Sequence, residues 1–312
     1  MELKPSENKK LYGMKLFFDE ISKLYNKKKM PTKILLSGKK GIGKSTLAYH
    51  IINYILSVGE EFEYDYKNFI INKNNRSFKL LQNNSHPNFY LIDVLNDKKN
   101  IDVSQIREMI RYTNKSAFNN MARFILIDNI ENLNKNSVNA LLKVIEEPNE
   151  NVFFILINNS EKNILPTLRS RCLSFRIYFT FNDFVNVTNQ ILDQNMLDLI
   201  NHDLINYYNT PGEIISLINF SKEKSIDLRD YTLVSFLNLL IDNGHYKKNK
   251  FVKTLLVNFI ELFFLKEYKL SNSKNSLINF YHIFITKIHN TEKFNLDEES
   301  LFLEFKSKLL NE

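Results

Sequence analysis

The stretch Gly38-Lys39-Lys40-Gly41-Ile42-Gly43-Lys44-Ser45 constrains this chain more than any other feature. Glycine is scarce, seven in 312 residues, and three of the seven fall between positions 38 and 43. Ile34-Leu35-Leu36, an apolar run of strand character, comes just before them, and Leu47, Ile51, Ile52 and Ile55 recur at helical spacing just after. Strand, glycine loop and helix together let backbone N–H groups converge on phosphate oxygens while the helix points its positive end at the same anions. The spacing predicts a nucleotide-phosphate loop made by Gly38, Gly41, Gly43, Lys44, Ser45 and Thr46. Lys44 is expected to reach the beta and gamma phosphates and Ser45 to hold magnesium.

The chain around this loop reads as α/β. Helices are expected over residues 14–26, 46–56, Val103–Tyr112 and Ser137–Glu147, the last stopped by Pro148. Further strands are expected at Phe89–Val94, Phe124–Ile127, Val152–Ile157 and near Phe175, and this alternation predicts a doubly wound parallel sheet. Residues 59–88 show no clean period and read as an irregular excursion ending at His86-Pro87. Beyond about residue 181 only helical patterns remain. They are Phe184–Leu192, Met196–Ile205, one opened by Thr210-Pro211-Gly212, and then Tyr231–Ile241, Phe251–Leu265, Ile278–Ile288 and Leu301–Leu309. The expected organisation is a nucleotide-binding domain over 1–178, a small helical lid over 179–222 and a larger helical domain over 223–312.

Composition narrows the remaining classes. With 44% hydrophobic and 25% charged residues the chain can bury a sizeable core. No apolar run reaches the roughly 18 residues of a membrane span, and the polar N-terminus has no signal-peptide pattern, so no membrane partner and a cytoplasmic location are expected. Cys172 is the one cysteine and the six histidines are scattered, which gives neither a disulfide nor zinc-site spacing. The net charge of +7 includes basic clusters at Lys27–Lys29 and Lys247–Lys250. Lysine is spread along the whole chain without a nucleic-acid-reading motif, so a dedicated DNA-reading surface is not expected.

A phosphate loop of this kind needs a second acid to hold the magnesium shell, and Asp128, at the end of the apolar run Phe124–Ile127, is where it should stand. Asn129 follows it and cannot accept a proton, so hydrolysis by the chain itself is expected to be weak or absent. Glu131, two residues further on, is a candidate to substitute for that acid, although a solvated or helix-capping acid is the expected reading.

Ser137-Val138-Asn139-Ala140-Leu141-Leu142-Lys143-Val144-Ile145-Glu146-Glu147-Pro148, followed by Leu168-Arg169-Ser170-Arg171-Cys172, resembles the signature of the bacterial DNA polymerase III clamp-loader AAA+ family, shared by its gamma/tau and delta-prime subunits. His86-Pro87 and Ile101–Ile110, with Val103, Gln105, Ile106 and Arg107, also resemble delta-prime sequences, so the similarity covers roughly residues 12–178. The resemblance implies an AAA+ P-loop domain, a helical lid and a helical collar for oligomerisation. It implies ATP or ADP with Mg as cofactor, and as partners the gamma/tau and delta subunits, the beta sliding clamp and primed DNA reached through the complex. It also implies that Arg171 is an arginine finger offered in trans to a neighbour's nucleotide, a role worth about 10³ to 10⁵ in rate elsewhere. Asn158 or Asn159 would sense the gamma phosphate. For Arg169 an ordinary surface role is expected.

Three departures from the family pattern bear on function. Relatives carry four cysteines in the region of residues 59–88 and this chain has none there, so zinc is not expected. Glu213 follows Thr210-Pro211-Gly212 where motor subunits place a sensor arginine, and a carboxylate there would repel a triphosphate. Asn129 replaces the catalytic acid. Together they favour a nucleotide-binding stator, an accessory subunit of a nucleotidyltransferase holoenzyme acting in DNA replication. The alternatives are an active gamma/tau-type ATPase, and an initiator or helicase loader, which should show a DNA-binding appendage.

Overall fold

A computed structural model describes residues 4–310, with residues 96–97, 116–118, 120, 160–163, 248, 271–273 and 295 outside the description. Two compact units divide the chain, Met1–Gln194 with Asn209–Asn219, and Asn195–Tyr208 with Phe220–Glu312.

The first unit is built on five parallel strands, β1 (Lys33–Ser37), β2 (Phe89–Ile92), β3 (Arg123–Ile127), β4 (Val152–Asn158) and β5 (Leu173–Arg176), in the order β2-β3-β4-β1-β5. The near-continuous apolar character of β1, β3 and β4 follows from burial on both faces, as parallel sheets require, whereas the edge strand β5 exposes all of its residues but Phe175. Ile34, Leu36, Phe124, Leu126, Ile155 and Ile157 enter one core with α1 (Lys15–Asn26), α2 (Lys44–Leu56) and α3 (Arg76–Gln82). The alternate residues Leu35, Ile125, Ile127, Phe154 and Leu156 enter a second core with α4 (Val103–Asn114), α5 (Lys135–Glu146) and the short α6 (Pro166–Arg169). Because the side-chain period is two, a one-residue slip would exchange the two sets, and the register Leu36↔Ile157 and Leu126↔Ile155 is fixed accordingly. α7 (Phe181–Leu192) begins with a capping box from Thr180 and Asp183, and α8 (Pro211–Glu223) contributes its first turns to this unit. The expected doubly wound sheet is present.

Residues 59–88 correct the expectation of an irregular excursion. They contain α3, whose N-terminal amides are satisfied by side chains: Asn75 accepts from Phe78 N–H at 2.6 Å, and Glu60 accepts from Arg76 and Ser77 N–H at 3.0 and 3.1 Å. Seven residues are too few to display a period, while Phe78 and Leu81 are buried in the first core.

The second unit has no strand among its described residues. Its helices are α9 (Leu233–Asp242), α10 (Lys250–Leu270), α11 (Lys274–Phe294) and α12 (Glu298–Phe305), the last continuing as a π turn. Met196–Ile205 differs from the single helix expected. It forms two separate 3₁₀ turns because Asn195 and Asn201 each cap one, accepting from Leu197 and Asp203 N–H at 3.1 and 2.9 Å. The core is aromatic: Phe305 meets Phe263, Phe264 and Phe284 at 5.6, 5.9 and 5.1 Å, and Phe236 lies edge-on to Phe259. Lys253–Glu298 and Lys287–Glu304 ion pairs link α12 to α10 and α11. These partly exposed pairs remain open to solvent and contribute about 0–1 kcal/mol each, against roughly 3–5 kcal/mol for deleting a buried Phe, so the aromatic core dominates. Of the basic cluster Lys247–Lys250, Lys247 pairs with Glu299 and Lys248 lies outside the described residues. No described helix is long and apolar enough to cross a membrane.

Candidate nucleotide site

β1 ends at Ser37 and hands the chain to the glycine loop at the C-terminal edge of the sheet, the edge at which open α/β folds bind ligands. Gly38 N–H donates to Asn158 O at 3.2 Å, and a Cβ there would stand 2.4 Å from Ile177 O. Gly41 and Gly43 have φ of +81° and +103°, a left-handed path that turns the loop into the first turn of α2. Lys44 opens that helix, is only 3% exposed, and donates its ammonium to the carbonyls of Gly38 and Lys39 at 2.9 and 2.8 Å. Thr46 Oγ1 accepts from Asn8 Nδ2 at 3.3 Å, which ties the N-terminal segment to α2.

Ser45 Oγ donates to Asp128 Oδ2 at 2.5 Å. Burial pushes the Asp128 carboxyl above its usual range, with the Asp93 charge adding to the rise and the Ser45 hydroxyl opposing it. A hydroxyl and a carboxylate side by side supply the hard oxygen donors that Mg takes, at the start of the helix that follows the glycine loop. These residues therefore fit a magnesium nucleotide.

Asn129, at φ +55°, is held by three bonds: its N–H donates to Asp128 Oδ1 at 2.8 Å, its Nδ2 to Asp93 Oδ1 at 2.7 Å, and its Oδ1 accepts from Asn159 Nδ2 at 2.6 Å. Glu131 is not the solvated or capping acid expected from sequence. It is 9% exposed, its Oε2 accepts from Asn159 N–H at 3.2 Å, and its Oε1 is buried without a partner. At the end of β4 the Asn158 backbone pairs with Ser37 and its carbonyl accepts from Gly38 N–H, while the Asn159 side chain joins the Asn129 network.

The first turn of α8 packs on the glycine loop. Gly212 N–H donates to Gly41 O at 3.0 Å and Thr210 Oγ1 to Lys40 O at 2.9 Å. The approach demands glycine on both sides: a Cβ on Gly41 would lie 2.5 Å from Thr210 Oγ1, and one on Gly212 would lie 2.8 Å from Gly41 Cα. Glu213 caps its own helix by accepting from Thr210 N–H at 2.9 Å and pairs with Lys39 Nζ of the loop at 3.3 Å.

The profile of the family described as DNA polymerase III, delta subunit, matches residues 14–180, which carry the sheet, the glycine loop, Asp128 and Arg171. The chain belongs to this family. The delta-prime subunit of Buchnera aphidicola from Baizongia pistaciae is 28% identical over 78% of this chain and 66% of its own length. That of Buchnera aphidicola from Schizaphis graminum is 28% identical over 85% of this chain and 81% of its own length. The gamma subunit of the latter is 30% identical over 79% of this chain and 61% of its own length. A solved gamma-subunit-related protein from Thermotoga maritima aligns over 86% of this chain and 77% of its own, at 15% identity and a TM-score of 0.41.

In this delta-family chain Arg171 follows α6, away from the glycine loop in sequence. Its side chain is exposed; Nη2 lies 2.7 Å from Glu146 Oε1 and Nη1 donates to Thr167 O at 2.9 Å. Arg169 is exposed at the end of α6. Sequence reasoning did not single out Asp93 or Lys39. Asp93 reaches Asn129 because β2 and β3 are neighbours, a pairing that no local pattern announces. Lys39 acquires its role from Glu213, 174 residues away.

Proposed function

We propose that this chain is a delta-prime-type subunit of the DNA polymerase III clamp loader that binds a magnesium nucleotide, acts as a stator and offers Arg171 to a neighbouring subunit. The relatives named delta-prime and gamma subunits support the assignment to that complex. Lys44 and the loop amides would hold the phosphates, and Ser45 and Asp128 the cation, whose part is to neutralise and orient the phosphate oxygens. Arg171, exposed and bearing a planar fork of donors, suits the recognition of a phosphate in trans.

The observation that carries the stator reading is Asn129. It stands where a hydrolytic member needs an acid, and its own side chain, an amide bound between Asp93 and Asn159, has no carboxylate with which to take a proton from water. Partners in this reading are gamma/tau and delta subunits, with the beta clamp and primed DNA engaged through the assembly in the cytoplasm.

The test is DNA-stimulated ATPase of gamma/tau and delta reconstituted with this chain, wild type against Arg171→Ala, beside the turnover of the chain alone. An inert chain and a slower Arg171→Ala complex of unchanged assembly are expected. Rapid turnover by the chain alone would place it among the gamma/tau-type ATPases.

A further inference from the structure

From the Lys39–Glu213 pair we infer that this site discriminates between nucleotides and prefers a nucleoside diphosphate to the triphosphate. The inference rests on the nucleotide binding at Gly38–Ser45 proposed above and adds to it a residue that sets specificity.

Three contacts fix the Glu213 carboxylate beside the loop. It accepts from Thr210 N–H at 2.9 Å and Asn209 Nδ2 at 3.3 Å, and it meets Lys39 Nζ at 3.3 Å. The helix that carries it cannot easily withdraw, because Gly212 N–H and Thr210 Oγ1 bond directly to the carbonyls of Gly41 and Lys40. Its side chain is only 21% exposed, so solvent screens it incompletely.

The consequence follows from charge. The loop offers Lys39, Lys40 and Lys44 to an anion, and Glu213 neutralises Lys39 while Asp128 adds negative charge beside Ser45. A triphosphate brings one more anionic group than a diphosphate into this partly cancelled field. Its added phosphate enters a loop where the fixed Glu213 carboxylate already offsets Lys39, and the penalty should be roughly tenfold in relative affinity.

The experiment is equilibrium displacement of a fluorescent nucleotide from the full chain by MgADP and by MgATP, for wild type, Glu213→Gln and Lys44→Ala. Glutamine keeps the acceptor that caps α8, and the far-ultraviolet spectrum and melting curve of each variant verify the fold. Wild type should bind ADP about tenfold more tightly than ATP, with the preference shrinking at high salt. Glu213→Gln should bring the two affinities to within about threefold, chiefly by strengthening ATP. A ratio unchanged by Glu213→Gln, or a wild type that prefers ATP, overturns this inference alone. If the wild type binds neither nucleotide, or Lys44→Ala binds both as well as wild type, the nucleotide site proposed above fails and this inference with it.

Discussion

Arg171 Nη2 lies 2.7 Å from Glu146 Oε1, and both side chains are substantially exposed, at 38% and 50%. An ion pair so open to water contributes about 0–1 kcal/mol, too little to confine an arginine against a competing phosphate. Glu146→Gln should therefore lower the unfolding free energy by no more than that amount, as chemical denaturation would show. In the reconstituted complex it should leave the DNA-stimulated rate at or above wild type, whereas a clear fall would mean that Glu146 aims Arg171 rather than merely parking it.

Asn129 is bound to Asp93 and Asn159 through both ends of its amide. Replacing it with alanine leaves a half-buried carboxylate and a half-freed amide to find new partners, and should cost about 1–3 kcal/mol in urea denaturation. Asn129→Glu should be at least as destabilising, because it adds a carboxylate beside Asp93 and Asp128. Restored hydrolysis in that variant would show that the missing acid is the only obstacle, and its continued inertness would assign part of the block to the surrounding network.

The parts legible in the sequence were those whose cause is local. Glycine spacing between a strand run and a helix run marks the loop, and a carboxylate at the end of a buried apolar run marks Asp128. Asn129 was legible as a missing base, but its bond to Asp93 depends on which strands are neighbours. Glu131 looked like a surface acid because the backbone N–H of Asn159, 28 residues on, is invisible to local reasoning. α3 and the paired 3₁₀ turns were misread for a related reason. Asn75, Asn195 and Asn201 set boundaries through single side-chain bonds, which leave no periodic trace.

Gly41 and Gly212 form a contact that tolerates no side chain. A Cβ on Gly41 meets Thr210 Oγ1 at 2.5 Å, on a backbone with φ +81° that alanine adopts only with strain. Gly212→Ala drives a Cβ to 2.8 Å from Gly41 Cα and O, so the helix must move off the loop. Both changes should cost roughly 1–3 kcal/mol in stability. Gly212→Ala should also weaken nucleotide binding although it lies outside the phosphate loop, and titration calorimetry would separate the two effects.

His50 supplies the clearest pH dependence. Its Nε2 lies 3.1 Å from Asn8 O, so that nitrogen donates, and in the neutral ring Nδ1 accepts from Tyr64 Oη at 2.9 Å. Burial pushes its pKa down from 6.5 to about 4. The unfolded chain therefore binds a proton between those values that the folded one refuses. Stability from this group is fully present above about pH 6.5 and is lost as pH falls toward about 4, by roughly 3 kcal/mol in all. Urea midpoints measured from neutral pH down to about pH 4.5 should fall accordingly in the wild type, while His50→Gln, less stable at neutral pH, should lose less and narrow the gap. Parallel curves for the two proteins would show that another group, with His86 the first to examine because burial lowers its pKa as well, governs the acid limb.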